Sequence, residues 1–344
     1  MKNKILFVTI VLSGCVLLLS AFTGWMKKYP AISNTEIERS STKAFSILQK
    51  SGDLFILRSK IGCASCHHNT LTSMVAEIAR QKGISVIDSF TVRRVKAMEL
   101  VISKENPNLV DQFLSANFIL PYTLLGLASE KYLPNIYTDI SVDYMISQQK
   151  PDGSFLAESG RVPLETGSIH LTAMAIRAIQ LYASQAKKKH VDELVARTRQ
   201  FLEHANPELH QEIVFQLLGM QWCGSSDEVK RKTAEKLEAI QNADGGWSQL
   251  PSLKSDAYAT GQTLYALYES RMIKPEDEIY QKGLNYLLKT QDPSGAWILS
   301  TRSYPIQPFI NSDFPPYDEN QFISATATNW ATMVLMIALP DKIN

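Results

Sequence analysis

Gln241-Asn242-Ala243-Asp244-Gly245-Gly246-Trp247 decides the fold, because its spacing returns twice in the chain. Gln149-Lys150-Pro151-Asp152-Gly153-Ser154-Phe155 and Gln291-Asp292-Pro293-Ser294-Gly295-Ala296-Trp297 repeat the order: glutamine, glycine four residues on, an aromatic two after that. A glycine there lets a helix end turn through positive φ, and the aromatic that follows folds back to pin the turn to its neighbours. Each turn follows a helical pattern such as residues 280 to 289, so the chain reads as repeated helical hairpins joined by stapled turns. The starts lie 92 and then 50 residues apart. The wider gap has room for one degenerate unit, which residues 208 to 223 fit.

After each turn and its loop comes a helix rich in Ala, Thr and Gly, over 166 to 183, 256 to 270 and 322 to 339. Small residues let helices approach closely, as an inner ring requires. Residues 108 to 128 and 68 to 82 read as two more inner helices, with outer partners near 42 to 59 and 86 to 103. Counting the degenerate unit gives six outer-inner hairpins. Each leaves an apolar face that only its neighbours can cover, so the expected fold is all-α, a single α/α toroid spanning 40 to 340. Inner-to-outer connections such as 271 to 275 are short and outer-to-inner ones such as 150 to 165 and 292 to 321 are long. Long loops in compact domains are commonly functional, which makes the long-loop end the expected working face.

Composition narrows the function classes. The chain has 344 residues, 45% of them hydrophobic, with 35 basic against 34 acidic side chains, so it carries no electrostatic footprint for nucleic acid. Residues 1 to 28 read as a signal peptide or membrane anchor: Lys2 and Lys4, an uncharged apolar run from 5 to 25, then Lys27 and Lys28. Leu12-Ser13-Gly14-Cys15 also resembles a bacterial lipobox, in which Cys15 would carry lipid. Either reading puts the body outside the cytoplasm, periplasmic or tethered to the membrane through its N-terminus. Cys223 beside Trp222 reads as a buried structural thiol. Only Cys63 and Cys66 form a close pair among the four cysteines, too few for a disulfide scaffold.

The three turns make the chain resemble the squalene-hopene cyclase and protein prenyltransferase superfamily, over roughly residues 40 to 340. It is similar to a bacterial subgroup that pairs an SCHH segment, here Ser65 to His68, with the helix Ser255-Asp256-Ala257-Tyr258-Ala259-Thr260-Gly261-Gln262. The resemblance implies the α/α toroid. It also implies, for cyclases, an acid motif Asp-x-Asp-Asp-Thr-Ala, where this chain has Lys254-Ser255-Asp256-Ala257-Tyr258-Ala259. One carboxylate stays, at Asp256, and a lone Asp is a poor source of a strongly acidic proton. Asp256 thus has two readings, catalytic acid and helix N-cap. The zinc set of the prenyltransferases, an Asp, a Cys and a His on inner helices, is not apparent.

Cys63-Ala64-Ser65-Cys66-His67 matches the c-type haem attachment pattern, two thiols for thioether bonds and a histidine for the iron. Export suits it, since attachment takes place outside the cytoplasm. Met74, Met98, Met145, Met220 and His170 are candidates for a distal ligand. A zinc or copper ion held by the cysteines with His67 or His68, and His170 as a further ligand, is a second reading. A redox-active Cys63–Cys66 disulfide is a third, and two ordinary thiols with a capping histidine the blandest.

Three functions follow. The favoured one is an exported, haem-bearing toroid working in electron transfer or a haem-linked oxidation with a redox partner. An alternative is a terpenoid- or isoprenoid-processing enzyme that binds an apolar small molecule, uses Asp256 or a metal at the Cys-His loop, and predicts a deep aromatic-lined cavity. The last is a non-catalytic binding module. Whether the chain is an enzyme is open at this stage. Glu165, Thr166, Thr326 and Asn329, near the starts of inner helices, are expected at the same mouth as the loop. Tyr304, Phe309, Phe314 and Tyr317, among four prolines, read as an aromatic lid or edge packing.

Overall fold

The computed structural model describes residues 32 to 59, 64 to 103, 116 to 155, 161 to 303 and 311 to 342. The expected leader, Cys15, Cys63, Tyr304 and Phe309 lie outside them. Among the described residues no helix is long and apolar enough to cross a membrane. Among the described residues, twelve α-helices alternate between two concentric layers. The outer ones are α1 (Asn34–Arg58), α3 (Asp88–Ile102), α5 (Ile136–Ser147), α7 (Lys188–His204), α9 (Asp227–Ala239) and α11 (Glu278–Thr290). The inner ones are α2 (Leu71–Gln81), α4 (Ala116–Ser129), α6 (Ser168–Tyr182), α8 (His210–Trp222), α10 (Ala257–Glu269) and α12 (Gln321–Ile337). Each inner helix packs on the next, and α12 packs on α2, so the inner layer closes into a ring. This is the α/α toroid of six hairpins expected from the repeats.

The turns do the stapling their spacing predicts. Gln149 Nε2 donates to Leu194 O (3.1 Å) and Thr198 Oγ1 (2.9 Å) on α7, and Gln241 Nε2 to Ile279 O (2.9 Å) on α11. Gln291 Nε2 donates to Ser40 O (3.1 Å) on α1, which ties the last repeat to the first. Gly245 and Gly295 have φ of 91° and 101°. A Cβ at Gly245 would sit 2.5 Å from Lys282 O, so the position excludes a side chain on two counts. Trp247 and Trp297 fold back and donate their indole N–H to Leu237 O (2.7 Å) and Leu287 O (2.9 Å). The backbone N–H of Phe155, Trp247 and Trp297 donates to Thr172, Thr260 and Thr328 Oγ1 on the following inner helix, at 2.9 to 3.0 Å. One turn therefore ties three helices together.

Two local differences from expectation matter. The degenerate hairpin joins α7 to α8 through 205 to 209 alone, with no stapled turn; there Gln216 Nε2 instead donates to Leu202 O (2.8 Å) and Ala205 O (2.9 Å). The first inner helix is preceded by a π-helical turn, Cys66–Thr70. Thr70 N donates five residues back to Ser65 O (3.2 Å), and Asn69 fixes the bulge by accepting from Ser65 N (2.8 Å) and donating to Gly52 O (2.9 Å). Such bulges re-aim side chains.

Candidate functional site at the long-loop end

The long loops put the N-termini of the inner helices at one end of the ring, and the π-turn aims two imidazoles there. His67 and His68 are 8% and 1% exposed. His67 Nδ1 lies 2.6 Å from Thr326 Oγ1, whose own hydroxyl donates to Phe322 O at 2.9 Å. With that proton committed, Thr326 accepts, so His67 carries its proton on Nδ1 and leaves a lone pair on Nε2. Burial depresses the His67 pKa to about 4, with Glu165 opposing and Arg161 adding to the effect, so the ring is neutral near pH 7. A neutral imidazole oriented through one nitrogen and open at the other is what a metal ligand or a general base requires.

His68 is held differently. Its Nε2 lies 3.0 Å from Ser312 Oγ, which donates to Gln321 Oε1 (2.7 Å), and its Nδ1 faces Ser65 Oγ at 3.5 Å. The ring stacks on Phe55, centroids 5.2 Å apart, with Phe314 and Phe322 edge-on. Both nitrogens are engaged within the protein and burial lowers its pKa to about 3. Of the two histidines read as metal ligands, His67 is the one with a ring nitrogen facing no protein partner among the described residues. Phe314 is fully buried against His68 rather than placed as a lid, whereas Tyr317 is 61% exposed.

Around His67 the ring mouth is polar. Half-buried Cys66 lies close enough to Tyr122 for a thiolate there to raise the phenol, whose pKa burial already lifts. Tyr122 bonds His170 Nε2 at 2.9 Å, and His170 Nδ1 faces Thr166 O (3.1 Å) and Gln211 (2.9 Å). The Tyr258 hydroxyl donates to Gln211 Oε1. Glu165 pairs with Arg161 through two hydrogen bonds of 2.8 and 2.9 Å. Gln262, a turn beyond Tyr258, is near enough to that residue's hydroxyl to oppose the rise of its pKa, yet neither of its buried amide atoms has a partner at normal hydrogen-bond geometry among the described residues, nor has the Trp330 indole N–H. Buried polar atoms of this kind call for water or a bound group. The sequence pointed to Glu165, Thr326 and His170; it did not point to Tyr122, Gln211 or Gln262, which show only as polar residues on otherwise apolar inner faces.

Asp256 is the N-cap of α10: Oδ1 accepts from Ala259 N (2.8 Å) and Oδ2 from Gln249 Nε2 (3.0 Å), while Arg302 donates to Gln249 Oε1 (2.9 Å). Burial raises its pKa and these hydrogen bonds oppose the rise. Cys223, read as structural, is buried with its thiol pushed up to about 12. Among the described residues no group of three or more His, Cys, Asp or Glu side chains is placed to hold a metal ion.

Below the mouth the ring centre is filled. Ring contacts run from Tyr122 to His170, Phe215, Trp330 and Tyr265, with centroids 4.1 to 6.4 Å apart, and Phe215 of α8 reaches Trp330 of α12 past the intervening α10. Against this layer the described mouth beside Tyr258 and Arg302 holds a cavity of about 50 Å³. The larger cavity, about 590 Å³, lies at the opposite end. Loop length marks the polar mouth and does not mark this second space.

Comparison with solved structures places this architecture. The type II terpene cyclase MstE from Scytonema superposes with a TM-score of 0.58 at 10% identity, covering 88% of this chain and 99% of that one. A protein from Actinoplanes gives 0.56 at 14% identity, covering 86% and 99%. The fold is a terpene-cyclase-like toroid. Among curated proteins, drimenyl diphosphate synthase from Streptomyces showdoensis is 28% identical over 181 residues, 48% of this chain and 32% of that protein. The chain thus matches about a third of that relative's length. No protein-family model matches the chain. MstE has been solved with its substrate, geranylgeranyl dihydroxybenzoate.

Proposed function

We propose that this toroid carries a c-type haem at its long-loop end and works in electron transfer or a haem-linked oxidation outside the cytoplasm, exported or tethered through residues 1 to 28. Cys66, with Cys63 from outside the described residues, would hold the group by thioether bonds, and His67 Nε2 would ligate the iron. The observation that carries the reading is the His67 tautomer. Thr326 takes the Nδ1 proton, and burial keeps the ring neutral, so the free lone pair is available. The chemistry of the donors fits the group: a thiol at Cys66 and an imidazole oriented through Thr326. A bound haem supplies one-electron chemistry. The chain's own part is to orient His67 through Thr326 and to surround the site with the Tyr122, His170 and Gln211 network.

The test is expression with export and a haem-attachment system, followed by intact mass and a pyridine haemochrome spectrum. One haem per chain is expected, absent from Cys66→Ala. A colourless product without added mass overturns the reading, and zinc or copper found in it by elemental analysis would assign the loop to a metal ion instead.

A second reading, acid chemistry on an isoprenoid, is favoured by the burial that raises Asp256 at the start of an inner helix and by the terpene cyclases that share the fold. Incubation with geranylgeranyl diphosphate and product analysis by mass spectrometry tests it. Cyclised product lost in Asp256→Asn is its expected signature.

A further inference from the structure

The well of about 590 Å³ at the short-loop end is enclosed by the C-terminal halves of all six inner helices. It lies on the far side of the aromatic layer from His67, and Tyr265, the last ring of that layer, belongs to its wall. Its volume is in the range of small-molecule sites. Its charges are the informative part. Lys131 pairs with Glu77 and Lys82 with Asp341, which leaves those groups satisfied at the rim. Arg177 of α6 and Glu269 of α10 are different: neither has an ion-pair partner within 4.0 Å among the described residues, although both line the same well.

Trp222 connects the two. The Arg177 guanidinium lies over its ring, 5.7 Å from the centroid. Its indole N–H is near enough to Glu269 to stabilise the carboxylate yet has no partner at normal hydrogen-bond geometry among the described residues. Burial raises Glu269 and Arg177 opposes it. A guanidinium is a planar fork of N–H donors, the group that grips a carboxylate through two hydrogen bonds. The rest of the wall is mixed: Tyr265, Tyr268, Leu125 and Leu181 stand beside Gln81 and Ser129. Arg177 and Glu269 are thus half-buried opposite charges in one concave site, within each other's field but without a direct ion pair, an arrangement that a ligand carrying both charges would complete.

We infer that this well is a binding site for an apolar zwitterion of amino-acid or dipeptide size, its carboxylate on Arg177 and its ammonium on Glu269, with the side chains against the tyrosines and leucines of the wall. A neutral polyol would leave both charges unpaired, and a simple anion would leave Glu269 so. The site is independent of the haem reading, since its residues come from the other end of the ring.

The test is isothermal titration calorimetry of the full chain with L-leucyl-L-phenylalanine and L-phenylalanine. Their C-terminal amides and N-acetyl derivatives serve as matched controls. At least one free zwitterion is expected to bind, and each blocked form to bind at least tenfold more weakly. Arg177→Gln and Glu269→Gln are each expected to weaken the zwitterion at least tenfold, with Arg177→Gln levelling it with the amide. The comparison of blocked and free ligands on the unmodified chain decides the matter should either variant fail to fold. Absence of binding by both zwitterions, equal binding of the blocked forms, or binding of D-glucose in their place would overturn the inference.

Discussion

Thr326 on the last helix accepts the Nδ1 proton of His67 in the first repeat, across 2.6 Å and 259 positions of sequence. The bond exists because α12 packs against α2 and the π-turn to close the ring, so the state of the candidate site depends on ring closure. Thr326→Val removes the acceptor and keeps the shape. The expected result is loss of the fixed tautomer, read by nitrogen NMR of labelled histidine as a mixture at His67 in place of Nδ1–H alone. Stability should fall by about 1 kcal/mol for one buried hydrogen bond, measured by urea unfolding. An unchanged tautomer would mean that Thr326 does not set it.

Closure itself rests on Gln291. Its amide donates to Gly295 O (2.9 Å) within the turn and to Ser40 O (3.1 Å) on α1, and it accepts from Ser40 Oγ (2.7 Å). Gln291→Ala should cost roughly 1 to 3 kcal/mol, since the partner groups are left part-buried and unpaired. The first hairpin should open before the rest. Hydrogen exchange measured by mass spectrometry is expected to rise over 34 to 58 in this variant, with far less change over 188 to 222.

These turns were legible in the sequence because glutamine, positive-φ glycine and aromatic each do one local job at a fixed spacing. The inner helices were legible from their small residues, and so was the N-cap option at Asp256. Three things were not. The threonines at 172, 260 and 328 that receive the turn aromatics lie at variable distances along the chain, so no spacing betrays them. The π-turn that separates His67 from His68 in role depends on Asn69 reaching Gly52, a contact between segments. The large well at the short-loop end is made by helix ends from every repeat, and Arg177, Trp222 and Glu269 are scattered over 93 positions. Loop length, the sequence's guide to the working end, says nothing about where helix ends enclose space.

Acid should destabilise the fold well above the carboxylate range. His170 and His210 are buried, and burial lowers each pKa from 6.5 to about 4. Between those values the unfolded chain binds protons that the folded chain refuses, so stability is full above about pH 6.5 and falls as pH drops towards 4. The slope is about 1.4 kcal/mol per pH unit for each such histidine. Thermal melts from pH 7 to 4 are expected to show Tm falling throughout this window, to which His67 and His68 add, and His210→Gln, which keeps a donor for Thr263, to reduce the slope by one histidine's share. A Tm that holds down to pH 4.5 would contradict the assignment.

Asp256 separates capping from catalysis by the choice of substitution. As an N-cap it needs one side-chain oxygen for Ala259 N, 2.8 Å away, and asparagine supplies that oxygen as well as aspartate does. Asp256→Asn should therefore keep the cap and lose only the bond from Gln249 Nε2, which an amide NH2 cannot accept, whereas Asp256→Ala should lose both, about 1 kcal/mol of it from the cap. Both variants strand Gln249, whose amide donates to Oδ2 while its oxygen holds Arg302, so the difference between them isolates the cap. Urea unfolding of the two variants measures the gap. If the carboxyl instead delivers a proton to a substrate, the order reverses in the activity assay: asparagine keeps the cap and abolishes turnover, because an amide cannot donate that proton. Parallel stability and product measurements on Asp256→Asn therefore assign the residue to one role or to both.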